Sequence, residues 1–168
     1  ETAHVGRFQA SYSGCYVAMD QTPSAFFADV EHCLARFREQ GYQLAVATGK
    51  SRRGLQRILD VLGWQDYFEI TRCADETASK PDPRMLHEIL QHCGVSAEQA
   101  LMVGDSSFDL EMAQRAGMDS VAVGYGAQAL EALSLYEPKL SINHFTQLST
   151  WLSCTVAETR TEEIEHVG

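Results

Sequence analysis

The chain has 168 residues, 45% hydrophobic and 21% charged, the balance of one ordinary globular domain rather than of a disordered, collagenous or coiled-coil polypeptide. Acidic residues outnumber basic ones 23 to 13, for a formal net charge of −10, so no nucleic acid is expected as a partner: a binder of the phosphate backbone carries the opposite balance. No apolar run approaches the roughly 20 residues that a membrane helix needs, and residues 1–10 lack a basic start followed by an apolar stretch, so neither a membrane partner nor a signal peptide is expected.

The predicted elements alternate from Asp29 onward. Val30, Cys33, Leu34 and Phe37 mark one face of a helix that Gly41 ends. Residues 42–47 follow as a short apolar strand. Ser51 caps a second helix with Leu55, Ile58, Leu59 and Leu62 inward, closed by Gly63. Residues 68–73 read as a strand, and residues 82–93 as a helix with Leu86, Ile89, Leu90 and Cys93 on one face, stopped by Gly94. Residues 101–103 form a third strand running into Gly104 and Asp105; Ser106 or Ser107 opens a helix that ends at Gly117. A fourth strand over 120–123, a short helix over 127–133 and apolar segments at 140–142 and 145–152 complete the pattern. Strands separated by helices imply parallel pairing with right-handed crossovers, hence a three-layer α/β fold. Residues 154–168 are polar and acidic and are expected to form a flexible tail. Cys15, Cys33, Cys73, Cys93 and Cys154 are odd in number and widely spaced, with no zinc pattern; free thiols in a reducing cytoplasm are expected.

In folds of this kind ligands sit at the carboxyl ends of the strands. The 42–47 strand ends in Thr48-Gly49-Lys50, and the 101–103 strand in Gly104-Asp105, with Asp109 four residues on; Ser79-Lys80-Pro81 precedes the helix between them. One hydroxyl, one ammonium and two carboxylates would then share one rim, a set suited to phosphate and Mg²⁺. Each residue also has a structural reading. Ser106 with Asp109 fits a helix capping box, Asp105 is favoured at a helix N-terminus by the dipole, Thr48 suits a turn and Lys80 a solvated surface. The combination, in this order at successive strand ends, is what singles the rim out.

The stretches 44–51, 79–83 and 103–110 resemble motifs II, III and IV of the haloacid dehalogenase-like superfamily, in its phosphoglycolate-phosphatase-like branch, and the resemblance runs from about Tyr12 to Leu152. It implies Mg²⁺-dependent hydrolysis of a small phosphorylated metabolite, a phosphate monoester, through an aspartyl-phosphate. By position, Thr48 and Gly49 would bind the phosphoryl group, Lys80 would stabilise it and the nucleophile, Asp105 would hold Mg²⁺, and Asp109 would support the metal or Lys80. The departure is motif I. An Asp-x-Asp supplies the nucleophile and the acid/base in this family, and the chain contains none. Residues 16–22, with Asp20 and Thr22, are a candidate degenerate motif I. The alternative is that residues 12–30 close a helical cap and return to the core.

On the second reading the domains are a cap remnant over 1–25, the α/β core over 26–153 and the tail over 154–168, with the cap largely absent. The first and central core strand would then be missing too, which would leave two neighbouring strands with unpaired edges. Three outcomes follow: a fragment, a chain that self-associates through those edges, or a rearranged N-terminus that fills the slot. Rival functions are weaker. A receiver domain orders its groups Asp, Thr, Lys, whereas here the order is Thr48, Lys80, Asp105. Gly124-Tyr125-Gly126-Ala127-Gln128-Ala129 matches a dinucleotide GxGxxA, but it comes late and no acidic residue follows at about 20 positions; a glycine-rich loop rimming the same pocket fits better. A non-catalytic binding or assembly module of the same fold is the main alternative to an enzyme. Arg52 and Arg53 could meet a second anionic group or form an exposed first-turn pair.

Overall fold

Two strands show how the layers form. Every residue of Leu44–Thr48 and of Ala100–Gly104 is buried, yet alternate positions meet different partners, because successive strand side chains point to opposite faces. Leu44, Leu101 and Val103 pack with Val30, Cys33, Leu34 and Phe37 on one side. Ala45, Ala47, Ala100 and Met102 pack with Met85, Leu86, Ile89 and Met112 on the other. A parallel sheet covered by helices on both faces is the expected three-layer α/β fold.

The computed structural model of the chain describes residues 9–12 and 27–154. Its elements are β1 (Gln9–Tyr12), α1 (Phe27–Glu39), β2 (Leu44–Thr48), α2 (Arg52–Leu62), β3 (Ile70–Cys73), α3 (Arg84–Cys93), β4 (Ala100–Gly104), α4 (Ser107–Arg115), β5 (Asp119–Val123), α5 (Leu130–Leu133) and β6 (Leu140–Ile142), followed by helical residues 146–154. The strand order is β3-β2-β1-β4-β5-β6, and every neighbouring pair is parallel.

The central slot corrects one expectation. The central position is occupied, and β2 and β4 do not face each other with unpaired edges. Gln9–Tyr12 lies between them, with Ala10 opposite Leu44 and Leu101, and Ser11 opposite Ala45 and Met102. Of the three outcomes the sequence left open, this sheet corresponds to an N-terminal segment filling the slot. The physical reason is that β2 and β4 each present a row of N–H and C=O groups that must be paired when buried. Backbone pairing makes little demand on side-chain identity, so four residues assigned by sequence to the cap remnant serve. The candidate degenerate motif at 16–22 and the tail from 155 onward lie outside the described residues.

The helices follow their local signals. Val30, Cys33, Leu34 and Phe37 are all buried on α1. The Ser51 hydroxyl accepts the Gly54 N–H at the start of α2, and Gly63 ends it in the left-handed region at φ 68°. Leu55 and Leu59 of α2 are buried, while Ile58 and Leu62 are half-buried. The α3 helix begins two residues later than the pattern predicts, at Arg84, with Pro83 as its cap residue. Among the described residues no helix is long and apolar enough to cross a membrane, and Cys33, Cys73 and Cys154 are free thiols.

Candidate active site

Parallel strands all point the same way, so the residues that follow β2 and β4 share one edge of the sheet. A cleft of about 470 Å³ opens there, and Thr48, Gly49, Lys80, Asp105 and Asp109 all line it. The five residues expected from sequence are therefore brought together. Lys50, Ser79, Phe108 and Ala127 join them. Phe108 is an exposed aromatic side chain among the residues that line the cleft.

Thr48, the last residue of β2, is buried, and its Oγ1 accepts the Lys50 N–H at 3.2 Å. A hydroxyl that accepts keeps its own O–H for donation. A Cβ on Gly49 would meet nothing within 4 Å, so no steric demand explains the glycine; the residue contributes backbone to the lining.

Asp109 is the organising group. Its side chain is 2% exposed and its Oδ1 lies 2.5 Å from Lys80 Nζ. Its Oδ2 accepts from the Ser106 hydroxyl at 2.8 Å and from the N–H groups of Ser106 and Asp105 at 3.2 and 3.3 Å. The capping box predicted for Ser106 and Asp109 is thus present, and the same carboxylate also carries the ion pair. Gly104 makes this possible: a Cβ there would overlap Asp109 Cβ. The cap does not exclude a further role for this residue, since one oxygen caps the helix while the other pairs with Lys80.

Asp105 is in a different electrostatic position. Burial pushes its carboxyl above the usual carboxylate range, the N–H of Ala127 pulls it down, Asp109 pushes it further up, and Lys80 opposes that. The Ala127 N–H reaches Asp105 Oδ2 at 3.1 Å. A buried carboxylate that is disfavoured as an anion gains from an added cation. Among the described residues no three His, Cys, Asp or Glu side chains gather as a metal cluster. Mg²⁺ does not require that, since it takes one or two carboxylates and fills its remaining positions with water and phosphate oxygens. The donor set fits the ion, and Asp105 is the residue that would hold it. Asp109 has both oxygens engaged by protein donors, so its part in the pair is to hold Lys80 and the β4–α4 turn.

Sequence reading did not identify what holds this turn. Gln128 accepts the Ser107 N–H at 2.7 Å through Oε1, and its own N–H donates to the Asp105 carbonyl at 3.1 Å. The Gly124–Ala129 stretch was the available signal, and as expected it rims the pocket, through Ala127. Arg52 is not placed for a second anionic group. Its guanidinium donates to Glu76 at 2.6 and 2.8 Å and to the Thr71 hydroxyl at 2.7 Å, while Arg53 is exposed.

Comparison with known proteins gives the family. The profile of the family described as haloacid dehalogenase-like hydrolase matches residues 11–123. The chain is 34% identical over 148 residues to "Probable phosphatase IndB" of Dickeya dadantii, covering 88% of this chain and 64% of that protein. It is 32% identical to the phosphoglycolate phosphatase of Pectobacterium atrosepticum, over 87% of this chain and 63% of that one. It therefore spans less than two thirds of the length of these relatives. A crystal structure of a predicted phosphoglycolate phosphatase from Haemophilus somnus 129pt superposes with a TM-score of 0.69 at 27% identity, covering 74% of this chain and 56% of that chain. The chain belongs to the haloacid dehalogenase-like hydrolase family, in its phosphoglycolate-phosphatase-like branch.

Proposed function

We propose that the chain forms the phosphate- and Mg²⁺-holding part of a phosphatase that acts on a small phosphate monoester through an aspartyl-phosphate. The observation that carries this is the meeting of Thr48, Lys80, Asp105 and Asp109 in one cleft. Thr48 donates its hydroxyl to a phosphoryl oxygen, and the Lys80 ammonium, held by Asp109, offsets charge on the group in transfer. Mg²⁺ bound through Asp105 supplies Lewis-acid stabilisation of that charge. Phosphoglycolate is a natural first substrate to test, because relatives carry it in their names. A cytoplasmic location fits the free thiols of Cys33, Cys73 and Cys154.

The nucleophile is not supplied by an Asp-x-Asp of these residues. That observation favours a second reading, a non-catalytic module that keeps the pocket for binding or assembly. Hydrolysis of p-nitrophenyl phosphate separates the two. Mg²⁺-dependent turnover by this chain that is lost in Asp105→Asn supports the phosphatase. Equal background rates in both contradict catalysis by this chain and support the module.

A further inference from the structure

The Gly124–Ala129 segment is a sequence motif that the proposed chemistry leaves without a role, and it makes several directed contacts at the site. Gly126 approaches so closely that a Cβ there would overlap Asp105 Cβ, Cγ and Oδ2. The next residue, Ala127, donates its N–H to Asp105 Oδ2 at 3.1 Å. The residue after that, Gln128, donates its N–H to the Asp105 carbonyl at 3.1 Å, accepts the Ser107 N–H at 2.7 Å through Oε1, and donates from Nε2 to the Ser107 hydroxyl at 3.3 Å. Three successive residues therefore grip Asp105 at its side chain and its carbonyl, and grip the first turn of α4 just beyond it. We infer that Gly126–Gln128 is a positioning clamp for the Asp105 carboxylate, with Gln128 as the positioning residue that holds the clamp to the N-terminus of α4.

The reason lies in what Asp105 lacks. Its neighbour Asp109 is fixed by four donors from Lys80, Ser106 and the Asp105 backbone. Asp105 follows the last strand residue and precedes the helix cap, so β4 and α4 fix its backbone but not the rotation of its carboxylate. The Ala127 N–H sets that rotation. Ala127 can do so only while its own turn is anchored, and the Gln128 side chain is the anchor. The N–H groups of Ala127 and Gln128 are directed to Asp105, and α5 begins at Leu130, three residues later than the predicted 127. Groups that orient a metal ligand without touching the ion change metal affinity by about 10- to 100-fold when removed.

This inference rests on the Mg²⁺ role given to Asp105, and the experiment separates the two. The wild-type chain, Gln128→Leu and Gln128→Glu are compared by calorimetric titration with Mg²⁺ and by amide hydrogen exchange in NMR. Leu removes the acceptor for the Ser107 N–H, whereas Glu retains it. The expected result for Gln128→Leu is about tenfold weaker Mg²⁺ binding, with faster exchange at Ser107 and Ala127 and unchanged exchange at Leu101 and Met102 in β4. Gln128→Glu recovers the protection at Ser107. The clamp is overturned if Ser107 and Ala127 exchange as in the wild type, if β4 amides accelerate equally, or if a wild-type chain that binds Mg²⁺ keeps its affinity in Gln128→Leu. A wild-type chain that takes up no Mg²⁺ removes the metal reading of Asp105, and the clamp then stands or falls on the exchange data.

Discussion

Two charged clusters in this molecule set carboxylates beside cations, and they resolve their electrostatics in opposite ways. At the corner between α2 and β3, the Arg52 backbone N–H donates to both Asp75 oxygens at 2.9 and 3.1 Å. The Arg52 guanidinium makes two bonds to Glu76 and two more to Thr71. Its bond to Arg52 holds the Glu76 carboxyl below the usual range, against the smaller opposing effect of burial. At the pocket rim, Lys80 pairs with Asp109, and burial leaves the adjacent Asp105 carboxyl raised. The corner is half-exposed and satisfied by its own donors. The rim is buried, and burial is the largest influence on its Asp105 carboxyl. A satisfied cluster ties elements together, whereas a buried anion disfavoured by its setting marks a place built for a ligand.

The comparison can be broken most severely at the ion pair. Lys80→Met leaves the Asp109 carboxylate in a nearly closed site without its cation, and a denaturant titration is expected to show a loss of about 3 kcal/mol. A loss below about 1 kcal/mol, the size of a surface pair, would make the rim no different from the corner. The matching change at the corner, Glu76→Gln, is expected to cost less than about 1 kcal/mol, because both partners are about one third exposed and solvent screens them. Its pH dependence has a definite sign. The folded pKa of Glu76 is lowered, so its contribution is present above the ordinary glutamate range and is lost as pH falls through the folded value. The wild-type advantage over Glu76→Gln is therefore expected to fade in acid, as read from melting temperatures across pH.

Much of this was legible in the sequence because it is local. Ser51 and Ser106 announced their helices by type and spacing, and Gly63 and Gly94 the ends. Thr48, Lys80 and Asp105 could be placed on one rim because parallel strands bring their carboxyl ends together whatever lies between. What escaped was non-local. Arg52 looked available for a ligand, since nothing within a helical turn of it is acidic; its partners Asp75 and Glu76 stand 23 and 24 positions away. Gln128 and Ser107 are 21 positions apart. The central strand escaped for another reason. Gln9-Ala10-Ser11-Tyr12 has no apolar run or β-branched residue to mark a buried strand, and it earns its place through backbone pairing to β2 and β4.

On the proposed function, Asp105 is a buried carboxylate that would hold Mg²⁺. A carboxyl with a raised folded pKa binds its proton more tightly in the native state. That contribution to stability is complete below the unfolded value and is lost as pH rises through the folded one, so at neutral pH the charge is a liability without metal. The direct measurement is the melting temperature of the wild type and Asp105→Asn at pH 7, with and without Mg²⁺. Without metal the variant should melt higher than the wild type, and Mg²⁺ should raise the wild type while leaving the variant unmoved. A variant that melts lower without metal, together with an equal Mg²⁺ response in both proteins, would contradict the account.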